Sequence, residues 1–134
     1  MPPEPISAES RTMLDSLSDL LIAQHKLLLD RERASYEALY GKIAGPGPFL
    51  ALVLGDAHFF WLKQISNLVV DIGEALARRS TAGQAVADEL VARARELMRP
   101  REIGTDFQMR YSAAVQESTE IVILQCRIEE LLKT

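Results

Sequence analysis

FLALVLGDAHFFWLKQISNLVVDIGEAL, from Phe49 to Leu76, is the most apolar part of the chain and decides its fold. It holds the only tryptophan and three of the four phenylalanines. Leu54, His58, Trp61, Ile65, Leu68, Ile72 and Ala75 recur at steps of four and three, which places them along one face of a helix. Phe49, Leu50, Val53, Phe59, Leu62, Val69 and Val70 fall off that stripe, so a helix here is apolar on several sides. Such a helix must be covered on several sides, by its own bundle or by another subunit.

Before this stretch, Ala44-Gly45-Pro46-Gly47-Pro48 cannot continue a helix and provides a tight reversal. Pro48 suits the first position of the second helix, which is expected to run unbroken to about Arg79. Gly55 and Asp56 are the one place where it could bend. Upstream, Ser7 can cap a first helix reaching about Lys42, with Leu14, Leu17, Leu21, Leu28 and Leu39 as its core stripe. At ~1.5 Å per residue it would be on the order of 50 Å long. Residues Met1 to Ile6 contain three prolines and read as a loose lead-in.

Downstream, Ser80 to Gly83 forms a turn, and a short third helix is expected from about Gln84 to Met98. Val86, Leu90, Ala94 and Leu97 would face inward. Thr105 and Gln108 form a capping box that opens a fourth helix. Phe107, Tyr111, Ala114, Ser118, Ile121, Gln125, Ile128 and Leu132 carry its inner face to the C-terminus. No segment alternates with period two, so the fold class is all-α. The expectation is one domain over residues 1–134, an antiparallel up-down-up-down four-helix bundle with long helices one and two and a short helix three.

The chain of 134 residues, 48% hydrophobic and 25% charged, is neither disordered nor fibrous. Its net charge of −4 argues against nucleic acid and against an anionic membrane surface, both of which require a basic face. No run reaches the roughly 18 apolar residues of a membrane span. The single cysteine, Cys126, excludes an internal disulfide and suits a reducing compartment. Its setting in VILQCRIEELL suggests a small buried hydrophobe. The start of the chain lacks the charge and apolar run of a secretory signal, so the expected location is cytoplasmic.

Chemistry finds little support. Neither His25 nor His58 has a glutamate three residues before it, as di-iron bundles require, and the two lie on the order of 12 Å apart along the bundle axis. No metal and no cofactor is expected. His25 lies on a long helix, as in histidine phosphotransfer domains, but Leu21 and Leu28 share its face; phosphotransfer is the distant alternative. His58 reads as a histidine at the core edge, bonded to a carboxylate such as Glu32. The serines lack a nucleophile elbow, and no phosphate-binding loop occurs. No catalytic residue is assigned.

One arrangement is more specific. In an antiparallel bundle the eight aromatic residues gather at one end, and a short third helix leaves that end partly uncovered. Tyr36, Tyr40, Asp56, His58, Phe59, Phe60, Trp61, Arg110 and Tyr111 are the candidate residues. They would form either an interface, with a homodimer or another protein as partner, or a small-ligand pocket. The interface is preferred because a gap between helices usually closes by pairing. The expected role is non-enzymatic self-association or protein–protein interaction. The alternative is a small-molecule-binding protein or an enzyme using the same end.

The segments HKLLLDRERASYEALYG and GDAHFFWLKQISNLVVDIGEAL resemble a group of small uncharacterised bacterial helical-bundle proteins. The resemblance covers residues 24 to 76 and rests on the Arg33, Tyr36, Glu37 spacing and on Asp56, Phe59, Trp61, Leu62, Ser66 and Leu68. It implies a bacterial, cytosolic helical bundle and carries no activity, cofactor or site residue.

Overall fold

A computed structural model describes residues 4–133. Seven helices follow one another: α1 Ala8–Tyr40, α2 Pro46–Gly55, α3 Ala57–Phe60, α4 Lys63–Leu76, α5 Gln84–Leu97, α6 Asp106–Glu117 and α7 Thr119–Leu132. Among the described residues no strand occurs beyond a single bridge between Pro5 and Gly83. No described helix is long and apolar enough to cross a membrane.

The 33-residue α1 is the spine. Ser7 caps it as expected, its hydroxyl accepting from the Ser10 amide, and Gly41 ends it at a φ of 94°, a backbone that disfavours other residues. The stripe it buries is Leu14, Leu17, Leu21, Gln24, Leu28 and Glu32. The expected stripe therefore holds up to Leu28, but Leu39 is exposed. Contacts along α1 show how its neighbours run. Arg11, His25 and Glu32 meet Leu76, Ser66 and His58, so α4 and α3 descend antiparallel to it. Arg31 pairs with Glu117, and the Gln24 side chain bonds the Ile121 carbonyl, so α7 descends on another side.

Two expectations about continuity fail. The second helix is broken: Asp56 is extended (φ −92°, ψ 136°), and its carboxylate accepts from the His58 amide at 2.8 Å. An aspartate behind a glycine offers the backbone a local alternative to the helical ladder, and here that alternative wins. At Trp61 and Leu62 the chain only tightens, with Leu62 N bonded to Phe59 O and Ile65 N to Leu62 O, in the i→i+3 pattern of a 3₁₀ turn. The fourth helix is also broken. Ser118 leaves helical geometry and caps α7 by accepting from the Ile121 amide.

The lead-in is tied down where it is described. Ile6 is buried, Gln84 N donates to the Glu4 carbonyl, and Ser7 N donates to the Gln84 side chain. The expected looseness of residues 1–6 thus fails for residues 4–6, while residues 1–3 lie outside the described range. On α5 the inner face is Ala87, Leu90, Val91 and Ala94; Val86 points out. Cys126 is exposed, because buried Gln125 and Ile128 take the inner face of α7. One hydrophobic core joins Ile6, the α1 leucines, Trp61, the α4 stripe, α5, Phe107, Tyr111 and the inner face of α7.

Candidate functional site

The aromatic residues divide into two groups that meet different fates. Trp61, Phe107 and Tyr111 form a row inside the core, with Trp61 and Phe107 centroids 5.3 Å apart and Phe107 stacked on Tyr111 at 5.7 Å. This row is sealed by its own chain: Trp61 is 5% exposed and Tyr111 fully buried. The expectation that a short third helix leaves Trp61 without cover is corrected here, and α6 is the reason. It starts at the C-terminal end of α5, where the Gln108 amide donates to Glu96, and it carries Phe107 and Tyr111 over Trp61 and α1. Tyr111 bonds Gln125, 14 residues further on, which an unbroken helix would hold about 21 Å away, so the chain has to turn at Ser118.

A buried polar chain locks the arrangement. The Gln24 amide donates to the Tyr111 hydroxyl at 2.7 Å, and Tyr111 donates to the Gln125 side-chain oxygen Oε1. Gln125 in turn donates to the Met98 carbonyl at 2.9 Å and to Glu129. Burial pushes the Tyr111 phenol well above its usual range; the Gln24 bond opposes that rise and the Glu129 charge adds to it. Tyr111 therefore stays neutral and acts as a fixed donor and acceptor. The network ties α1, α6, α7 and the end of α5 together, which is a structural role.

The second group sits where α1 outruns its neighbours. Tyr36 lies against Tyr40 (4.8 Å), His58 (5.7 Å) and Phe59 (5.7 Å), while Phe49 meets Phe59 edge-on at 5.8 Å. The Arg33 guanidinium covers the Phe49 ring at 4.5 Å. Phe59 is buried by these rings within one chain, so it too is corrected as an uncovered residue. His58 Nε2 lies 3.1 Å from Glu32 Oε2, the carboxylate expected from the sequence, although the approach makes no aligned hydrogen bond.

Beyond this point cover runs out. α2 is ten residues of PGPFLALVLG without a charge, and none of them is buried. Leu50 and Leu54, one turn apart, are 58% and 61% exposed. Leu39, Tyr40 and Phe60 are more than half exposed as well. Between the last turns of α1, the loop 41–44 and α2 lies an open cleft of about 530 Å³, lined by Tyr36, Tyr40, Ile43, Leu52 and, at its polar edge, Lys42 and Asp56.

Of the candidate residues, Tyr36, Tyr40 and Asp56 thus share one cleft, with His58 and Phe59 packed behind Tyr36. Phe60 points outward under the Lys63 ammonium at 5.0 Å. Trp61 and Tyr111 belong to the core row, and Arg110 pairs with Asp106 on the exposed side of α6, so these three are not part of the cleft. Sequence reasoning placed Leu39 and Leu54 on inward stripes, left Leu50 off the stripe without a role and passed over the loop 41–44, whereas all three leucines are exposed. The signal available was the absence of any charge from Ile43 to Gly55.

His25 is half-buried, and its Nε2 shares a hydrogen bond with Ser66 Oγ at 3.0 Å; burial lowers its pKa and holds the ring neutral. No acidic side chain is bonded to that pair among the described residues. No cluster of three metal-ligating side chains occurs among the described residues. The chain matches no known protein family, no curated protein and no solved structure.

Proposed function

We propose that the protein acts by association, through the apolar end formed by the last turns of α1 and by α2, with a second copy of the chain as its partner. The single observation that carries this reading is α2, ten uncharged residues with none buried. Exposed apolar area of this kind costs free energy until something covers it, and contiguous patches mark association sites. Leu39, Tyr40, Leu50, Leu54 and Phe60 expose on the order of 600 Å² between them, taking ~200 Å² for a large side chain. A standard interface buries about 800 Å² per partner, so the patch is close to sufficient once its smaller neighbours are added. The role is that of a non-enzymatic interaction protein. In this reading the seven helices act as interrupted rods of an up-down-up-down bundle whose far end is finished by the partner.

A small-ligand role is the second reading, favoured by the cleft beside Tyr36 and Tyr40. Its openness speaks for an inserted protein side chain, since ligand pockets enclose most of what they bind.

Light scattering of the purified chain across micromolar concentrations tests the proposal. Association is expected, and the double substitution L50E/L54E is expected to abolish it without changing the helical circular dichroism. A chain that stays monomeric throughout, or an L50E/L54E variant that still associates, would overturn it.

A further inference from the structure

The end of the molecule is self-complementary, and this rests on the association just proposed. Around α2 the residues fall on three faces, as a 100° step per residue requires. Phe49 and Val53 are half-buried, with Phe49 against Phe59. Pro48, Ala51, Leu52 and Gly55 form one wall of the cleft. Leu50 and Leu54 stand on the remaining face as a ridge in solvent. One short helix therefore presents both a protruding ridge and half of a concave groove, side by side.

The groove has a polar edge of both signs. Lys42 and Asp56 line it, and neither makes an ion pair among the described residues. One Asp56 oxygen accepts from the His58 amide and fixes the carboxylate in place. A cation and a carboxylate on the same patch of one molecule are what a two-fold axis can convert into two identical pairs. In an isologous contact, residue i meets residue j and j meets i.

From this juxtaposition we infer an isologous dimer in which the Leu50–Leu54 ridge of each copy seats in the cleft between α1 and α2 of the other. Lys42 of each copy faces Asp56 of the other at the mouth of the cleft. A cleft of about 530 Å³ is larger than two leucine side chains require, and its Tyr36, Tyr40, Ile43 and Leu52 walls are apolar. The apolar insertion supplies the affinity, and the crossed charges fix the orientation. A partner of single-sign charge fits less well, because the groove edge carries one group of each sign. A lipid surface offers the ridge nothing to enter.

Charge reversal tests the mode separately from association itself. The K42E chain alone and the D56K chain alone each place like charges together twice in the dimer, and each is expected to weaken it roughly tenfold or more in sedimentation equilibrium. Mixing the two variant chains is expected to restore dimers to near wild-type affinity, since each contact then joins opposite charges. D56N, which retains a capping side chain, controls for loss of the α3 cap. If the wild type dimerises and L50E/L54E breaks the dimer, yet mixing K42E with D56K restores nothing, this pairing is wrong while association through α2 survives. A wild type that is monomeric, including one that instead floats with phosphatidylcholine vesicles, removes both.

Discussion

α2 and α4 come from the same apolar stretch and differ in almost everything that matters. α4 buries Ile65, Leu68, Ile72 and Ala75 along one stripe and turns Asp71 and Glu74 outward. α2 is more apolar throughout and has no fully buried residue. The difference lies in their neighbours. α4 has α1 on one side and α5 on another, whereas α2 has α3 and little else. Hydrophobicity sets how much is gained by burial, but chain connectivity sets whether a neighbour is within reach. An end that is left apolar and uncovered is therefore informative about function, and a core helix is not.

The largest loss of stability is expected inside the sealed row. Trp61→Ala is expected to cost about 3–5 kcal/mol in urea unfolding of the dilute chain, because the indole is enclosed by α6 and cannot be replaced by a collapse. A loss below about 1 kcal/mol would show that α6 does not seal that end. Tyr111→Phe should cost about 1–3 kcal/mol by leaving the buried Gln24 amide and Gln125 oxygen without their shared partner. Ser118→Ala removes the cap at the α6–α7 break and is expected to cost about 1 kcal/mol. If it instead stabilises the protein, the break is not maintained by that cap.

Acid should weaken the sealed part through His25. Burial depresses its folded pKa below the unfolded 6.5, so the unfolded chain binds the proton more readily. The neutral ring is favoured in the fold above pH 6.5, and stability is lost as pH falls below that value toward the lowered folded pKa. Thermal melts at pH 7.5 and pH 5 should differ less for His25→Gln than for the wild type. The smallest effect belongs to α2: Leu54→Ala is expected to change the stability of dilute chain by no more than about 0.5 kcal/mol, as for a surface residue. A large loss there would mean that the ridge is covered within one molecule.

Much of this was legible from spacing. The all-helical class, the caps at Ser7 and Thr105 and the inner face from Phe107 to Leu132 all rest on local rules that the structure obeys, whereas the reversal expected at residues 44–48 falls at 41–45, and α2 begins at Pro46 rather than at Pro48. The pairing of His58 with Glu32 was legible too, because level positions on antiparallel rods follow from counting. The candidate site was read in half. Tyr36, Tyr40 and Asp56 do converge, but Trp61 and Tyr111 do not join them, and the exposed leucines were assigned to the core or passed over.

Sequence alone determined which segments are helical and which of their faces seek cover, since propensity, capping and periodicity act over a few residues. It could not determine the outcome at Asp56 and Ser118, where a local hydrogen bond competes with the helical ladder and packing against other segments decides the winner. Those two breaks let α6 cover Trp61 and separate α2, which has no buried residue, from the well-packed α4. Tertiary structure thus chose which apolar surface was satisfied inside the chain and which was left exposed.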